Sequence, residues 1–124
     1  MTKETSGSGI GSFTELRDAL RRFAAERDWE QFHTPKNLAM ALSVEAAELL
    51  EHFQWTADSN PGSLTPEARQ EVGDEAADVL LYLVRLADKL DIDLLGAAAA
   101  KIEKNAKKYP VDKARGSSKK YTEL

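Results

Sequence analysis

Apolar residues recur every three or four positions along several stretches of this chain, which is the spacing of one face of a helix. The first such stretch carries Phe13, Leu16, Leu20 and Phe23. Ser12 directly precedes this stretch and Glu15 lies within it. The two residues form an S-x-x-E capping box, a sequence pattern typical of a helix N-terminus. The pattern predicts a first helix from Ser12 to about Asp28.

Two Thr-Pro pairs predict the starts of the next two helices. In Thr34-Pro35 and Thr65-Pro66 the threonine can cap the helix, and the proline occupies the first helical position, where its missing N–H does no harm. The second helix is predicted to run to about Trp55 and the third to about Leu90. The intervening loop is predicted to be TADSNPGSL, residues 56–64.

A fourth helix is predicted near the C-terminus. Either Asp91 or Asp93 can cap it, and Pro110 ends it. No stretch of the chain shows the alternation of apolar and polar residues that is typical of a strand. The predicted fold class is therefore all-α, in one domain of four helices.

Composition excludes several classes of protein. The 124 residues are 42% hydrophobic and 31% charged and contain no cysteine, so neither a disulfide framework nor a thiolate metal site is possible. The longest apolar run, VLLYLV, is far shorter than the ~20 residues of a membrane span. The N-terminal sequence MTKETSGSGIGS lacks the apolar core of a secretory signal and predicts a flexible leader. We expect a cytoplasmic protein without a membrane partner.

Charge is segregated along the chain, whose net charge is −4. Residues 101–124 hold eight of the 17 lysines and arginines against three acids, so this part is net +5 and the rest is net −9. A solvated helix end and tail would explain the basic run. The alternative is a receptor for phosphate groups. Nucleic acid is not expected as a partner, because the acidic remainder would repel a polyanion.

Two matched pairs of acids stand out on the second and third predicted helices. Glu45 and Glu48 are three residues apart, and so are Glu75 and Asp78, so that each pair lies on one helix face. If the two helices pack antiparallel, the pairs can face each other. The apolar residues of these helices flank the acids, which places the carboxylates at the border of the core.

Four unpaired carboxylates at such a place would be costly unless they were coordinated or neutralised. Ligands that are all carboxylates select hard cations, so we expect Mg²⁺, with Mn²⁺ as a possible substitute. The alternative is that the acids lie on solvated faces. A di-iron bundle would need E-x-x-H on two helices, and the chain has one match, Glu30 to His33. The other histidine, His52, is expected to be an exposed helix residue.

Together these motifs resemble a known family, the MazG-like all-α nucleoside triphosphate pyrophosphohydrolases. The resemblance is carried by E-x-x-E (45, 48), D-E-x-x-D (74–78) and K-x-x-x-N-x-x-K-Y-P (101–110). Three further stretches resemble its dCTP pyrophosphatase branch: FAAERDWEQFHTPKNLAMAL, HFQW and SSKKYTEL. The resemblance covers about residues 13–124.

The resemblance implies hydrolysis of a nucleoside triphosphate, such as dCTP, to the monophosphate and pyrophosphate. It implies that Glu45, Glu48, Glu75 and Asp78 hold magnesium, which would neutralise phosphate charge and lower the pKa of the attacking water. Any of these carboxylates that is not fully engaged could activate the water. The residues that match the family's fourth-helix motif, and that would hold the β- and γ-phosphates, are Lys101, Lys104, Asn105, Lys108 and Tyr109.

The base pocket is predicted from the same resemblance. Trp29 and Trp55 lie at predicted helix ends, where ordinary packing would also explain them, and Tyr82 follows Asp78 by one turn. In the family such aromatic residues surround the pyrimidine and Tyr82 lies near the sugar. His33 either contacts substrate or caps the loop. Leu20 stands where members of the dCTP branch can carry a histidine.

The resemblance also predicts domains and assembly. We expect a flexible leader (1–11), a MazG-like helical catalytic domain (12–110) and a basic C-terminal tail (111–124). Small residues at 96–100 would let helices of different protomers approach closely. The expected assembly is a homotetramer, a dimer of dimers whose sites include residues of a neighbouring subunit. The competing hypothesis is a non-catalytic helical module that binds a nucleotide or a protein.

Overall fold

The computed structural model of the chain describes residues 9–55 and 64–124. The chain divides into two units, Met1–Asp91 and Ile92–Leu124. The first unit holds α1 (Phe13–Glu26), a 3₁₀ turn (Glu30–Phe32), α2 (Pro35–Glu51) and α3 (Pro66–Lys89). The second holds α4 (Leu94–Lys108), α5 (Val111–Ala114) and a 3₁₀ turn (Tyr121–Glu123). The described residues contain no strand, so the predicted all-α class is confirmed. The predicted domain boundaries stay predictions.

Side-chain caps start the four long helices where the sequence predicts. Ser12 Oγ accepts a hydrogen bond from the Glu15 N–H at 3.1 Å. The return bond of the capping box goes to the preceding residue, because Glu15 Oε1 accepts from the Gly11 N–H at 3.2 Å. Thr34 and Thr65 each accept from the backbone N–H three residues on, at 3.1 and 3.0 Å.

The structure decides between the two candidate caps of α4. Asp93 Oδ1 accepts from the Gly96 N–H at 3.0 Å and is the N-cap. Asp91 instead has a positive φ of 54°, just after α3 ends, and Asp28 has a φ of 55° after α1. Because an L-residue in this left-handed conformation cannot continue a helix, α1 and α3 end a residue or two before the predicted positions.

The end of α2 also differs from its prediction. The helix ends at Glu51, and a turn continues to Trp55, the predicted last residue. The predicted loop that follows lies almost wholly outside the described residues. Of the described helices, none is both long enough and apolar enough to cross a membrane.

α2 and α3 are the main packing pair of the first unit, and they run antiparallel. His33, just before α2, lies against Arg85 near the end of α3, whereas Glu45 in mid-α2 lies against Glu75 near the middle of α3. Leu38 is fully buried. The other core residues are Ala24, Val84 and Ala87. On α2 the covered side chains recur at helical spacing: Leu38, Ala41, Leu42, Glu45, Glu48 and Leu49. The two glutamates therefore lie on the face that α2 turns toward the core, which confirms the predicted border position.

An ion pair fixes α1 against α3. The Arg21 guanidinium donates two hydrogen bonds to the Asp88 carboxylate, at 2.7 and 2.5 Å. These bonds hold the pKa of Asp88 below its usual value. A bidentate pair of this kind constrains orientation as well as distance, so it links the C-terminal half of α1 to the end of α3.

In the second unit the C-terminal segment folds back on the end of α4. The Tyr109 and Tyr121 rings meet edge to face, with centroids 6.1 Å apart. Lys108 Nζ lies 4.8 Å from the centre of the Tyr121 ring, within the range of a cation–π interaction. The predicted tail (111–124) therefore includes ordered structure that contacts two of the predicted phosphate-binding residues.

Candidate active site

Three carboxylates from α2 and α3 converge at the centre of the helix pair. One oxygen from each of Glu45, Glu48 and Glu75 lies within 4.8 Å of the others, and all three residues are half-buried. The i, i+3 spacing puts two of them on one face of α2, and the antiparallel packing brings the third across from α3. The structure thus brings together three of the four predicted acids.

Two oxygens of this acidic cluster, Glu45 Oε2 and Glu75 Oε2, are buried without a hydrogen-bond partner among the described residues. The neighbouring carboxyls can donate a hydrogen bond to them only when protonated. Hydrogen bonding to Glu48, burial and the surrounding negative charges raise the pKa of Glu45 to about 7. Burial and the charges of Glu48 and Asp78 raise the pKa of Glu75 as well.

These features fit a bound cation. An all-carboxylate donor set matches the ligand preference of Mg²⁺ and Mn²⁺, and a cation would supply the partner that both buried oxygens lack. The acidic cluster (Glu45, Glu48 and Glu75) is therefore a candidate site for a divalent cation.

Asp78, the fourth predicted acid, lies beside the acidic cluster. Its charge raises the pKa of both Glu45 and Glu75. Asp78 is not, however, one of the three residues whose carboxylate oxygens lie within 4.8 Å of one another. Asp78 also lines a neighbouring pocket. Asp78 is thus next to the acidic cluster and also on the pocket wall, so the cluster and the pocket adjoin at this residue.

The neighbouring pocket has a volume of about 200 Å³ and a largely apolar lining. Its lining residues come from α1, from the segment before α2 and from α3: Leu20, Phe23, Ala24, Trp29, His33, Asp78, Leu81, Tyr82 and Arg85. The Trp29 and Phe23 rings meet edge to face, with their centroids 5.7 Å apart. The Trp29 and His33 rings are tilted relative to each other, with centroids 6.1 Å apart. Three residues predicted to bind substrate, Trp29, His33 and Tyr82, thus share one pocket, and Leu20 is on its wall.

Two residues lie elsewhere than the sequence suggested. Trp55 is 89% exposed after α2 and is not part of the pocket lining. His52, expected to be exposed, is half-buried, and its charge acts on the Glu75 carboxylate. The prediction for His52 was wrong because His52 follows Glu48 by four residues. It therefore lies on the same inward face, at the C-terminal end of α2.

Arg85 is a pocket residue that sequence reasoning missed. Its side chain is buried, only 4% of the residue being exposed, and its Nη2 donates to Glu30 Oε1 at 2.8 Å. Its Nε donates to His33 Nδ1 at 3.2 Å, and Lys89 also pairs with Glu30. A signal was present, because Arg85 follows Asp78 by seven residues, which puts both on one face of α3.

Four of the predicted phosphate-binding residues lie on α4, in the second unit, and the fifth, Tyr109, directly follows its last residue. Their spacing of i, i+3, i+4, i+7 and i+8 gathers them on one helix face: Lys101, Lys104, Asn105, Lys108 and Tyr109. The first four are exposed, and Tyr109 is half-buried against Tyr121. The structure thus gives these side chains a common, accessible face.

Fold and site together define an all-α protein whose site is a carboxylate cluster on two antiparallel helices. The model of the MazG-like family matches residues 40–124, and the chain belongs to that family. The dCTP pyrophosphatase 1 of Rattus norvegicus is 47% identical over 130 aligned positions, which cover 98% of this chain and 76% of the rat protein. The human dCTP pyrophosphatase 1 is 45% identical with the same coverage.

A solved structure shows the same fold. The crystal structure of a pyrophosphatase from Archaeoglobus fulgidus superimposes with a TM-score of 0.72 at 44% identity, and the match covers 85% of this chain and 98% of that one. These similarities confirm the predicted family and the predicted class of enzyme, a nucleoside triphosphate pyrophosphatase.

Proposed function

We propose that this enzyme hydrolyses dCTP, and related or modified pyrimidine deoxynucleotides, to the monophosphate and pyrophosphate, and so removes surplus or modified nucleotides in the cytoplasm. The observation that carries the proposal is the adjacency of the acidic cluster and the apolar pocket, through Asp78 on α3. A nucleotide needs both surroundings, because its base is a flat ring with a large apolar face and its phosphates are charged.

We assign the cation site to Glu45, Glu48, Glu75 and the adjacent Asp78, with Mg²⁺ as the expected ion and Mn²⁺ as a substitute. A bound Mg²⁺ would neutralise charge on the phosphate oxygens and lower the pKa of the attacking water. The protein's own contribution is to hold the carboxylates half-buried and close together. A carboxylate oxygen left free by the cation can orient the attacking water.

The pocket suits a single-ring base. At about 200 Å³ it is smaller than the ~300–1,000 Å³ of pockets that enclose drug-sized ligands. Trp29 offers an aromatic surface for stacking. Tyr82, one turn after Asp78 and also on the pocket wall, is our candidate for contact with the sugar.

A panel of deoxynucleoside and ribonucleoside triphosphates, assayed for pyrophosphate release with and without Mg²⁺, tests the proposal. We expect the highest kcat/KM for dCTP, and no release when the metal is chelated. Release of inorganic phosphate in place of pyrophosphate, or no release from any nucleotide, would contradict it.

The first prediction from this proposal concerns the exposed face of α4. Lys101→Ala and Asn105→Ala should each lower kcat/KM for dCTP by roughly 10- to 150-fold, since a hydrogen bond to a charged group contributes ~1.5–3 kcal/mol. Helix content should not fall, because alanine is the better helix former. Lys107→Ala is the matched control, since it removes the same charge from α4 at a position outside the motif. Equal kinetics for all three variants would show that α4 does not bind the phosphates.

The second prediction concerns stacking in the pocket. Trp29→Ala should lower kcat/KM for dCTP by roughly 5- to 150-fold, because stacking of a base on an aromatic ring is worth ~1–3 kcal/mol. Trp29→Phe should retain most of the activity, since it keeps an aromatic face. Trp55→Ala tests whether the exposed Trp55 reaches a base by another route, as a residue from a neighbouring subunit could. Unchanged kinetics for Trp29→Ala would place the base outside this pocket.

The third prediction concerns assembly as a homotetramer, a dimer of dimers. On α2, Met40 and Val44 are one turn apart and 54% and 57% exposed, and on α4 Leu95 and Ile102 are 60% and 70% exposed. Apolar rows of this kind mark interaction surfaces. Light scattering should give about four times the 13.7 kDa chain mass. Val44→Lys should lower that mass, whereas Gln70→Lys, which adds the same charge at an exposed polar position of α3, should not. A fully active monomer would contradict the assembly.

A further inference from the structure

His33 lies on the pocket wall with one ring nitrogen already engaged by protein. Its Nδ1 is 3.2 Å from both Nε and Nη2 of Arg85. A guanidinium has only donors, so Nδ1 must accept, and an accepting nitrogen carries no proton. The proton of the neutral ring is then on Nε2, and that N–H is the polar group His33 has left to offer the pocket.

Arg85 itself is held in place for this role. It is buried, and besides His33 it contacts Glu30 Oε1 at 2.8 Å and Asp88 Oδ2 at 3.6 Å. Asp88 is fixed in turn by two hydrogen bonds from Arg21. A planar guanidinium with carboxylates on two sides cannot rotate without breaking an ion pair, so its direction toward His33 is set by the fold.

The surroundings of His33 also favour the neutral form of its ring. Burial, followed by the positive charge of Arg85, lowers the pKa of His33, and Lys89 adds to this effect while Glu30 opposes it. The ring therefore stays neutral at physiological pH, and Arg85 selects which of the two neutral forms is present.

We propose that Arg85 is a positioning residue that fixes His33 as the Nε2–H tautomer, so that His33 donates a hydrogen bond to an acceptor on the edge of the pyrimidine base. The inference rests on the proposed function for the identity of the ligand. The acceptor chemistry is that of a ring carbonyl or an unprotonated ring nitrogen, and cytosine offers both side by side. A histidine nitrogen that can only donate binds a base edge with an acceptor better than a base edge that presents an N–H.

The tautomer can be read without any turnover. Two-bond ¹H–¹⁵N correlation spectra of the wild-type protein should show His33 with a protonated Nε2 and an unprotonated Nδ1, and His33→Gln assigns the signals because the chain has two histidines. A protonated Nδ1, or rapid exchange between both forms, would overturn the assignment. In Arg85→Met, if it folds, the spectrum should change to a mixture of tautomers. In Arg85→Gln, whose amide can still donate to Nδ1, the wild-type form should be retained.

Contact with the base is tested with dCMP, which needs no hydrolysis. Addition of dCMP should shift the Nε2–H resonance, whereas deoxyribose 5-phosphate, which has no base, should leave it in place. An unmoved resonance at saturating dCMP would overturn the donor role and leave the proposed reaction standing.

Kinetics separates this role from a structural one. His33→Gln, whose amide N–H lies near the position of Nε2–H, should keep kcat/KM for dCTP within a few-fold of wild type. His33→Phe should lower it by roughly 5- to 150-fold, mainly through KM, as expected for loss of one hydrogen bond to a buried partner. Wild-type kinetics in His33→Phe would overturn the proposal. If the wild-type protein hydrolyses no nucleotide, the proposed function fails, and the spectra still decide the tautomer.

Discussion

Replacement of Glu75 by Gln should reduce hydrolysis of dCTP by on the order of 10³-fold or more while leaving the helices intact. The change keeps the shape of the side chain and removes one negative charge from the acidic cluster. A weakened cation site would stabilise less of the charge that develops on the phosphates, and a loss of ~4 kcal/mol corresponds to about a thousandfold in rate. Glu45→Gln and Glu48→Gln should have effects of similar size.

A neighbouring acid supplies the control for this experiment. Glu71 lies one turn before Glu75 on α3 but is exposed, so Glu71→Gln should leave kcat/KM unchanged. Circular dichroism should show equal helix content in both variants. Asp78→Asn then asks whether the acid beside the cluster is needed as much as its members. Turnover at the wild-type rate in Glu75→Gln would remove the cation site from the mechanism.

Local features of the fold could be predicted from the sequence because they depend on residues that are close along the chain. The Ser12, Thr34 and Thr65 caps each join a side chain to the N–H three residues later, so they can be predicted from the local sequence. Where helices end was harder to predict. The left-handed conformations of Asp28 and Asp91 have no strong signature in the sequence, since glycine is the usual residue there.

The candidate site was predictable to the extent that it repeats helical spacing. Glu45, Glu48 and Glu75 lie together because each is on the inward face of its helix. Arg85 was missed because its partners, Glu30 and His33, are more than fifty residues away and become neighbours only when α2 and α3 pack. Glu30 and His33 form the single E-x-x-H match, which did not suffice for a di-iron site, and both residues contact Arg85.

The acidic cluster should also make the stability of the metal-free protein depend on pH in a particular direction. The pKa of Glu45 is raised from 4.5 to about 7, chiefly by its hydrogen bond with Glu48 and by burial. Between these two pH values the folded protein keeps a proton that the unfolded chain has lost. Unfolding then releases a proton, so the free energy of unfolding falls as the pH rises from about 4.5 to 7. The raised pKa of Glu75 acts in the same direction.

His33 works against this trend and must be separated from it. Because its pKa is lowered from 6.5, its contribution to stability is lost as the pH falls below that value. Glu45→Gln leaves His33 in place and removes the titrating carboxyl. The difference in unfolding free energy between wild type and Glu45→Gln, measured by chemical denaturation at several pH values, therefore isolates the acidic cluster.

Addition of Mg²⁺ should reverse the penalty that the metal-free protein suffers at high pH. A ligand at about one hundred times its Kd adds ~2.7 kcal/mol to the free energy of unfolding, if it does not bind the unfolded chain. We expect this gain at pH 8 and a smaller one at pH 6, since protons and cations compete for the same oxygens. In Glu45→Gln both the gain from Mg²⁺ and its pH dependence should shrink. A metal-free wild type that becomes more stable than Glu45→Gln as the pH rises would mean that the half-buried carboxyls do not repel one another.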